Sequence, residues 1–155
     1  MIKKIILWIL VIFWMSLIFY FSNQNSVVSS KQSKGFLYNT IGTIIDIVNP
    51  DMDEIDKDIL INKLNPIVRK LAHTFVFFIL GVLVFLLVNE YSFINKKTII
   101  LSLIICLIYS ISDEIHQLFI SGRSCEIRDI IIDTIGFSSS IVLLGLINRK
   151  KVIKK

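Results

Sequence analysis

Long uninterrupted apolar runs, separated by short polar segments, dominate the chain. Four of them are long enough to cross a bilayer, at about residues 5–21, 66–88, 98–120 and 129–147. A spanning helix needs roughly 17 or more apolar residues, so the first run lies near the lower limit. From residue 71 onward the second is broken only by His73, Thr74 and Gly81. The third turns polar over its last part, and the fourth carries Asp133 near its start and Ser138, Ser139 and Ser140 in its middle. This pattern predicts an all-α fold, a polytopic membrane helical bundle of about four transmembrane helices within one domain, 1–155.

The segment 22–65 is a long loop with helical character of its own. Leu37, Ile41, Ile44, Ile45 and Val48 recur at helical spacing opposite Asn39, Thr40, Thr43 and Asp46, which predicts an amphipathic helix on the outer membrane surface or against the bundle. Asn49-Pro50-Asp51 is a turn signal. Asp53 then caps a short helix whose Ile55, Ile59, Leu60 and Leu64 form one stripe. Asn65-Pro66 marks the start of the second span, with Asn65 as cap and Pro66 in the first turn, where its missing N–H costs nothing.

Composition supports this picture. Hydrophobic residues make up 54% of the 155 and the mean hydropathy is +0.74, leaving no polar surface for a soluble fold. A net charge of +5 raises nucleic acid as a partner, but the bases lie between apolar runs or at the tails, which fits membrane orientation and excludes nucleic acid. With the N-terminus inside, the inner segments hold Lys3, Lys4, Lys96, Lys97, Arg149, Lys150, Lys151, Lys154 and Lys155 against a single acid, Glu90. The outer segments mix their bases with nearly all the acids, so charge density predicts both termini in the cytoplasm. Lys3 and Lys4 before an apolar run also fit a signal peptide, but the bulky run with two Trp and no small-residue cleavage pattern favours an uncleaved helix. Cys106, in an apolar run, and Cys125, in a polar loop, indicate no disulfide framework.

That topology brings the unusual polar groups to one depth, at the outer face. The first span ends there at Ser22-Asn23-Gln24, and the second begins with Arg69, Lys70 and His73. The third ends through Asp113, Glu114, His116 and Gln117, a loop with Arg123 and Arg128 follows, and the fourth begins with Asp129 and Asp133. Arg69 and His73 share a face at i, i+4, as do Asp129 and Asp133, with Gly136 offering close packing. Asp113, His116 and Gln117 stand at i, i+3 and i+4. Ionisable groups in membrane helices usually face the bundle interior and mark functional sites. The plainer reading is structural pairing, Asp113 with Arg123 or Arg69 with Asp129, fastening helix ends.

The run Ser112-Asp113-Glu114-Ile115-His116-Gln117-Leu118-Phe119, then Gly122-Arg123 and Asp129-x-x-x-Asp133-x-x-Gly136, resembles the signature of the VanZ-like family. That pattern reads roughly D-E-x-H-Q-x-F-x-x-G-R, then D-x-x-x-N/D-x-x-G. Phe21-Ser22-Asn23-Gln24 resembles its F-S-x-Q element, and Arg69-Lys70-Leu71-Ala72-His73 its basic-x-x-x-His element. Ser121 stands where a Pro commonly precedes the Gly-Arg pair, and Asp133 where many members have Asn. The resemblance implies a small multi-pass protein of the bacterial cytoplasmic membrane, from a family whose founding member is linked to low-level teicoplanin resistance. It implies no established reaction.

Three functions compete. In the first, Arg69, Lys70, Arg123 and Arg128 bind the phosphate of an anionic lipid or lipid-linked cell-envelope precursor, the acids Asp129 and Asp133 orient those bases and accept from sugar or peptide groups, and Gln24 and Gln117 complete the ligand site. In the second, the chain is an intramembrane hydrolase or transferase, with His116 or His73 as base oriented by Asp113, Glu114 or Asp129. A metal variant would need His73, His116 and a carboxylate from separate helices, so no metal or other cofactor is expected. In the third, the chain is a membrane scaffold whose polar cluster locks the fold. Membrane lipids are the common partner, and the oligomeric state is open.

Overall fold

An apolar residue at nearly every position lets α1 (Ile2–Ser22) form with no amphipathic face, and the helix leaves Ile9, Ile12 and Phe13 more than half exposed on the bundle. Lipid, as apolar as these side chains, is the solvent that tolerates such a surface. The computed structural model describes residues 1–91 and 95–153, with the backbone alone for 95 and 149–153. The chain continues through α2 (Ser26–Leu37), a π-helical turn (Tyr38–Gly42), α3 (Thr43–Val48), α4 (Glu54–Asn89), α5 (Asn95–Gln117) and α6 (Ile127–Ile153). No strand occurs among the described residues. Four helices, α1, α4, α5 and α6, are long and apolar enough to cross a membrane, which makes the chain a multi-pass membrane protein.

The break expected at Asn65-Pro66 is absent. α4 runs through it for 36 residues, with Pro66 inside the helix. Rising 1.5 Å per residue, it extends roughly 54 Å, well beyond the ~30 Å hydrocarbon layer, so its first turns project from the bundle. Asn65 caps nothing: its Nδ2 donates to Ser30 Oγ at 2.9 Å and its Oδ1 accepts from Ser33 Oγ, tying α2 to α4. Pro66 removes one ladder bond, a loss that membrane helices tolerate when neighbours hold the backbone. Asp53 does occupy the cap position, but no side-chain bond caps the helix there.

The outer loop differs in detail from its sequence pattern. α2 was not legible as a helix; Asn25 starts it by accepting from the Val28 N–H at 2.8 Å. The expected amphipathic stretch is split by the π-helical turn, with Leu37 fully buried while Ile44 and Val48 stay exposed. Lys57 Nζ to Asp46 Oδ1 (2.7 Å) and Tyr38 OH to Asp58 Oδ1 (2.5 Å) fasten this hairpin to the projecting part of α4.

Within the bundle α4 packs along α6 more extensively than any other pair. Two glycines permit that approach. A Cβ at Gly136 would fall 2.3 Å from the Thr74 carbonyl oxygen, and one at Gly81 2.7 Å from the Phe137 carbonyl oxygen. The expected packing role of Gly136 is therefore seen, and Gly81 shares it. Phe77, Leu80, Val84, Cys106, Phe137 and Ile141 fill the core. Two aromatic side chains beside this core bond to backbone: Trp14 Nε1 donates to the Val76 carbonyl (3.0 Å) and Tyr109 OH to that of Met15 (2.6 Å).

Both termini of the bundle sit at one end. Lys3 pairs with Glu90, Trp8 Nε1 donates to Tyr91 OH at 3.0 Å, and Asn148 Nδ2 donates to Asn89 Oδ1 at 2.8 Å. Lys154 and Lys155, counted in the charge argument, lie outside the described residues, as do the side chains of Arg149, Lys150 and Lys151.

Candidate functional site: two joined hollows at one end of the bundle

At the opposite end, the loop between α5 and α6 folds back over the helix ends. α5 stops at Gln117, three residues before its expected limit, and the chain turns through Gly122 at φ +75°. Only glycine takes that conformation without strain. A Cβ there would also come within 2.5 Å of Ser26 Oγ on α2. The turn presents Arg123, whose Nε donates to the Gln24 carbonyl (2.9 Å) and Nη1 to Gln117 Oε1 (3.1 Å). Its Nη2 lies 3.5 Å from the Phe21 carbonyl, so the guanidinium closes the C-terminal end of α1. Burial, then the charge of Arg69, lowers the Arg123 pKa from its ordinary value. Arginine keeps its charge regardless.

Gln117 Nε2 in turn donates to Asp113 Oδ2 at 3.2 Å, and Glu114 Oε2 accepts the Glu126 N–H at 3.1 Å. Asp113, Glu114 and Gln117 are all buried. Glu114 thus holds the loop backbone directly, and Asp113 is connected to it only through Gln117 and Arg123. Neither structural pair considered from the sequence, Asp113 with Arg123 or Arg69 with Asp129, forms an ion pair within 4 Å.

Between α4, α6 and this loop lies a cavity of about 270 Å³. Arg69, Lys70, His73, Arg123, Asp129 and Asp133 line it, together with Gln117. Seven sequence candidates thus converge on one space. Asp133, 1% exposed, accepts from Ser110 Oγ at 3.0 Å, and its Oδ1 lies 3.9 Å from His73 Nδ1. Oδ1 of Asp129 and of Asp133 are buried with no hydrogen-bond partner among the described residues. Arg69 and Lys70 make no ion pair among the described residues.

Other candidates fall elsewhere. His116 lines neither hollow; its ring stacks on Phe19 of α1 with centroids 4.2 Å apart. Successive helix residues turn by about 100°, so i+3 and i+4 positions diverge by that angle: Gln117 follows Asp113 inward while His116 turns to α1. Arg128 is exposed and away from both hollows. Gln24 contributes its carbonyl to Arg123 and lines a second hollow.

That second space, about 390 Å³, lies between α1, α2 and α4. Its walls are mostly apolar, with Ile18, Phe36, Val68, Ala72, Val76 and Phe77. It shares Arg69, His73 and Arg123 with the polar cavity. Sequence reasoning missed Ser26, Ser124 and Glu126 in the polar wall, and Ser110 behind it. Ser110 was legible, since it precedes Asp113 and Gln117 by three and seven positions on one helix face. Ser26 was not, because α2 itself was unseen.

A family model described as VanZ/LLP1 matches residues 7–148, nearly the whole chain. The chain belongs to the VanZ/LLP1 family. The match takes in the F-S-x-Q, basic-x-x-x-His and D-E-x-H-Q elements, whose residues the fold gathers at the end of the bundle away from the termini. No curated protein and no solved structure matches the chain. Among the described residues, no group of three or more His, Cys, Asp or Glu side chains is placed to hold a metal ion.

Proposed function

We propose that this VanZ/LLP1 protein binds the anionic headgroup of a lipid or lipid-linked cell-envelope molecule in the polar cavity, from the outer leaflet of a bacterial cytoplasmic membrane. The observation that carries this reading is that Arg69 and Lys70 line the cavity without an ion pair of their own among the described residues. A partly buried base that makes no ion pair within 4 Å gains a charge-assisted contact from an incoming anion, and a guanidinium offers phosphate paired donors. The Asp129 carboxylate in the same lining then accepts from hydroxyl or ammonium groups of the headgroup. Placing the cavity outside follows from Lys3, Lys4, Lys96 and Lys97 at the other end. A protein holding an envelope precursor there alters access of a glycopeptide such as teicoplanin to it.

The test is binding of anionic against zwitterionic lipids to protein in nanodiscs. Arg69→Ala is expected to lower anionic-lipid binding by about tenfold, the loss of one charge-assisted contact, with an unchanged unfolding temperature. Binding equal to wild type would overturn the reading.

An enzymatic reading has one observation in its favour: His73 faces Asp133 across a cavity that also exposes Ser26 and Ser124. On that reading His73→Gln abolishes turnover of a bound lipid substrate and spares its binding; product formation by the variant at the wild-type rate removes it.

A further inference from the structure

We infer that the apolar hollow between α1, α2 and α4 holds the hydrocarbon chain of the ligand whose anionic head occupies the polar cavity. This rests on the function proposed above and specifies its ligand as an anionic amphiphile, excluding a water-soluble phosphate compound. Three side chains, Arg69, His73 and Arg123, belong to both linings. A head held by Arg69 therefore has its first chain carbons at the entrance of the apolar space.

The physical need for such a space is specific to the membrane. A chain moving from bilayer to protein gains little, because lipid is as apolar as the side chains it meets. It does lose heavily if it must lie among Asp129, Asp133 and Lys70. A headgroup can enter a cavity between α4 and α6 only where its chain has an apolar exit. The hollow supplies one: Val68, Ala72 and Val76 are spaced along one face of α4, with Ile18 opposite. Phe21 and Phe36, 51% and 61% exposed, stand at its margin toward the surroundings. α2 forms its outer wall and is held there by the Asn65 bonds to Ser30 and Ser33.

The experiment uses the full chain in nanodiscs and dodecyl phosphate carrying a terminal diazirine. Photolysis followed by peptide mapping locates the chain, and inorganic phosphate protecting Lys70 from acylation reports the head site. Crosslinks are expected at Ile18, Phe36 and Val76. Ala72→Trp fills the hollow and is expected to reduce them about tenfold, leaving phosphate protection of Lys70 within about twofold of wild type. Val68→Trp, one turn away, is a second blocking variant should the first unfold. Crosslinks confined to outward residues such as Ile67 and Leu71, with Lys70 still protected, overturn the chain site and leave the head site standing. Lys70 protected neither by phosphate nor by the amphiphile overturns both.

Discussion

His73 Nδ1 and Asp133 Oδ1 face each other at 3.9 Å, α4 to α6, in the wall of the polar cavity. The gap is too long for a hydrogen bond. Asp133 instead takes its one bond from Ser110 on α5, which ties α5 to α6 beside the cavity. The imidazole of His73 is partly exposed to the cavity, while Asp133 is enclosed by packed helices.

Removing Ser110 strips that carboxylate of its bond while leaving it buried. Ser110→Ala is therefore expected to destabilise the bundle by about 1–3 kcal/mol, the penalty for a buried polar group left unsatisfied. Thermal unfolding in detergent measures this. Asp133→Asn in the same background should recover part of the loss, because an amide both donates and accepts and so has more ways to find a partner there. No recovery would mean that the Ser110 hydroxyl acts elsewhere.

The α4–α6 contact tolerates no side chain at Gly136. Its Cβ would meet backbone, the Thr74 carbonyl at 2.3 Å, so the helices must part. Gly136→Ala should lower stability by about 1–3 kcal/mol. Gly145→Ala meets only the side chain of Ile99, at 2.6 Å from its tip, which can rotate away. Unfolding midpoints of the two variants should accordingly rank Gly136→Ala below Gly145→Ala, and the reverse order would contradict the packing described.

Two cysteines report the orientation. Cys125 is exposed in the loop over the polar cavity, and Cys106 is fully buried in the core. An impermeant thiol reagent applied to intact cells is expected to label Cys125 and to spare Cys106. Labelling of Cys125 only after lysis would put the cavity on the cytoplasmic side and exclude an outer-leaflet ligand.

The loop clamp responds to alkaline pH. Asp58 Oδ1 accepts a hydrogen bond from Tyr38 OH at 2.5 Å, and this bond, followed by burial, raises the phenol pKa above its ordinary value. A raised folded-state pKa means the contact contributes fully below the unfolded value and is lost as pH rises through the folded one. Carbon NMR of ring-labelled tyrosine should show Tyr38 titrating above the value measured in Asp58→Asn. Coincident titrations would show that the bond does not form in solution.

Apolar run length by itself determined four spans, because a helix that must satisfy its own backbone in lipid has no other way to be built. Helical spacing likewise put Arg69 with His73 and Asp129 with Asp133 on common faces, and the fold keeps both pairs together. Tertiary structure decided what spacing leaves open. His116, inside the most specific motif, stacks on Phe19 because only packing selects which neighbour an i+3 side chain meets. Asn65 and Pro66 carry a local start signal, yet α4 begins eleven residues earlier and runs through them, since the bonds from α2 hold the helix through its missing N–H. The apolar hollow depended most on tertiary structure: α1, α2 and α4 wall it together with Arg123 from the loop after α5, and α2 has no hydrophobic pattern to announce it.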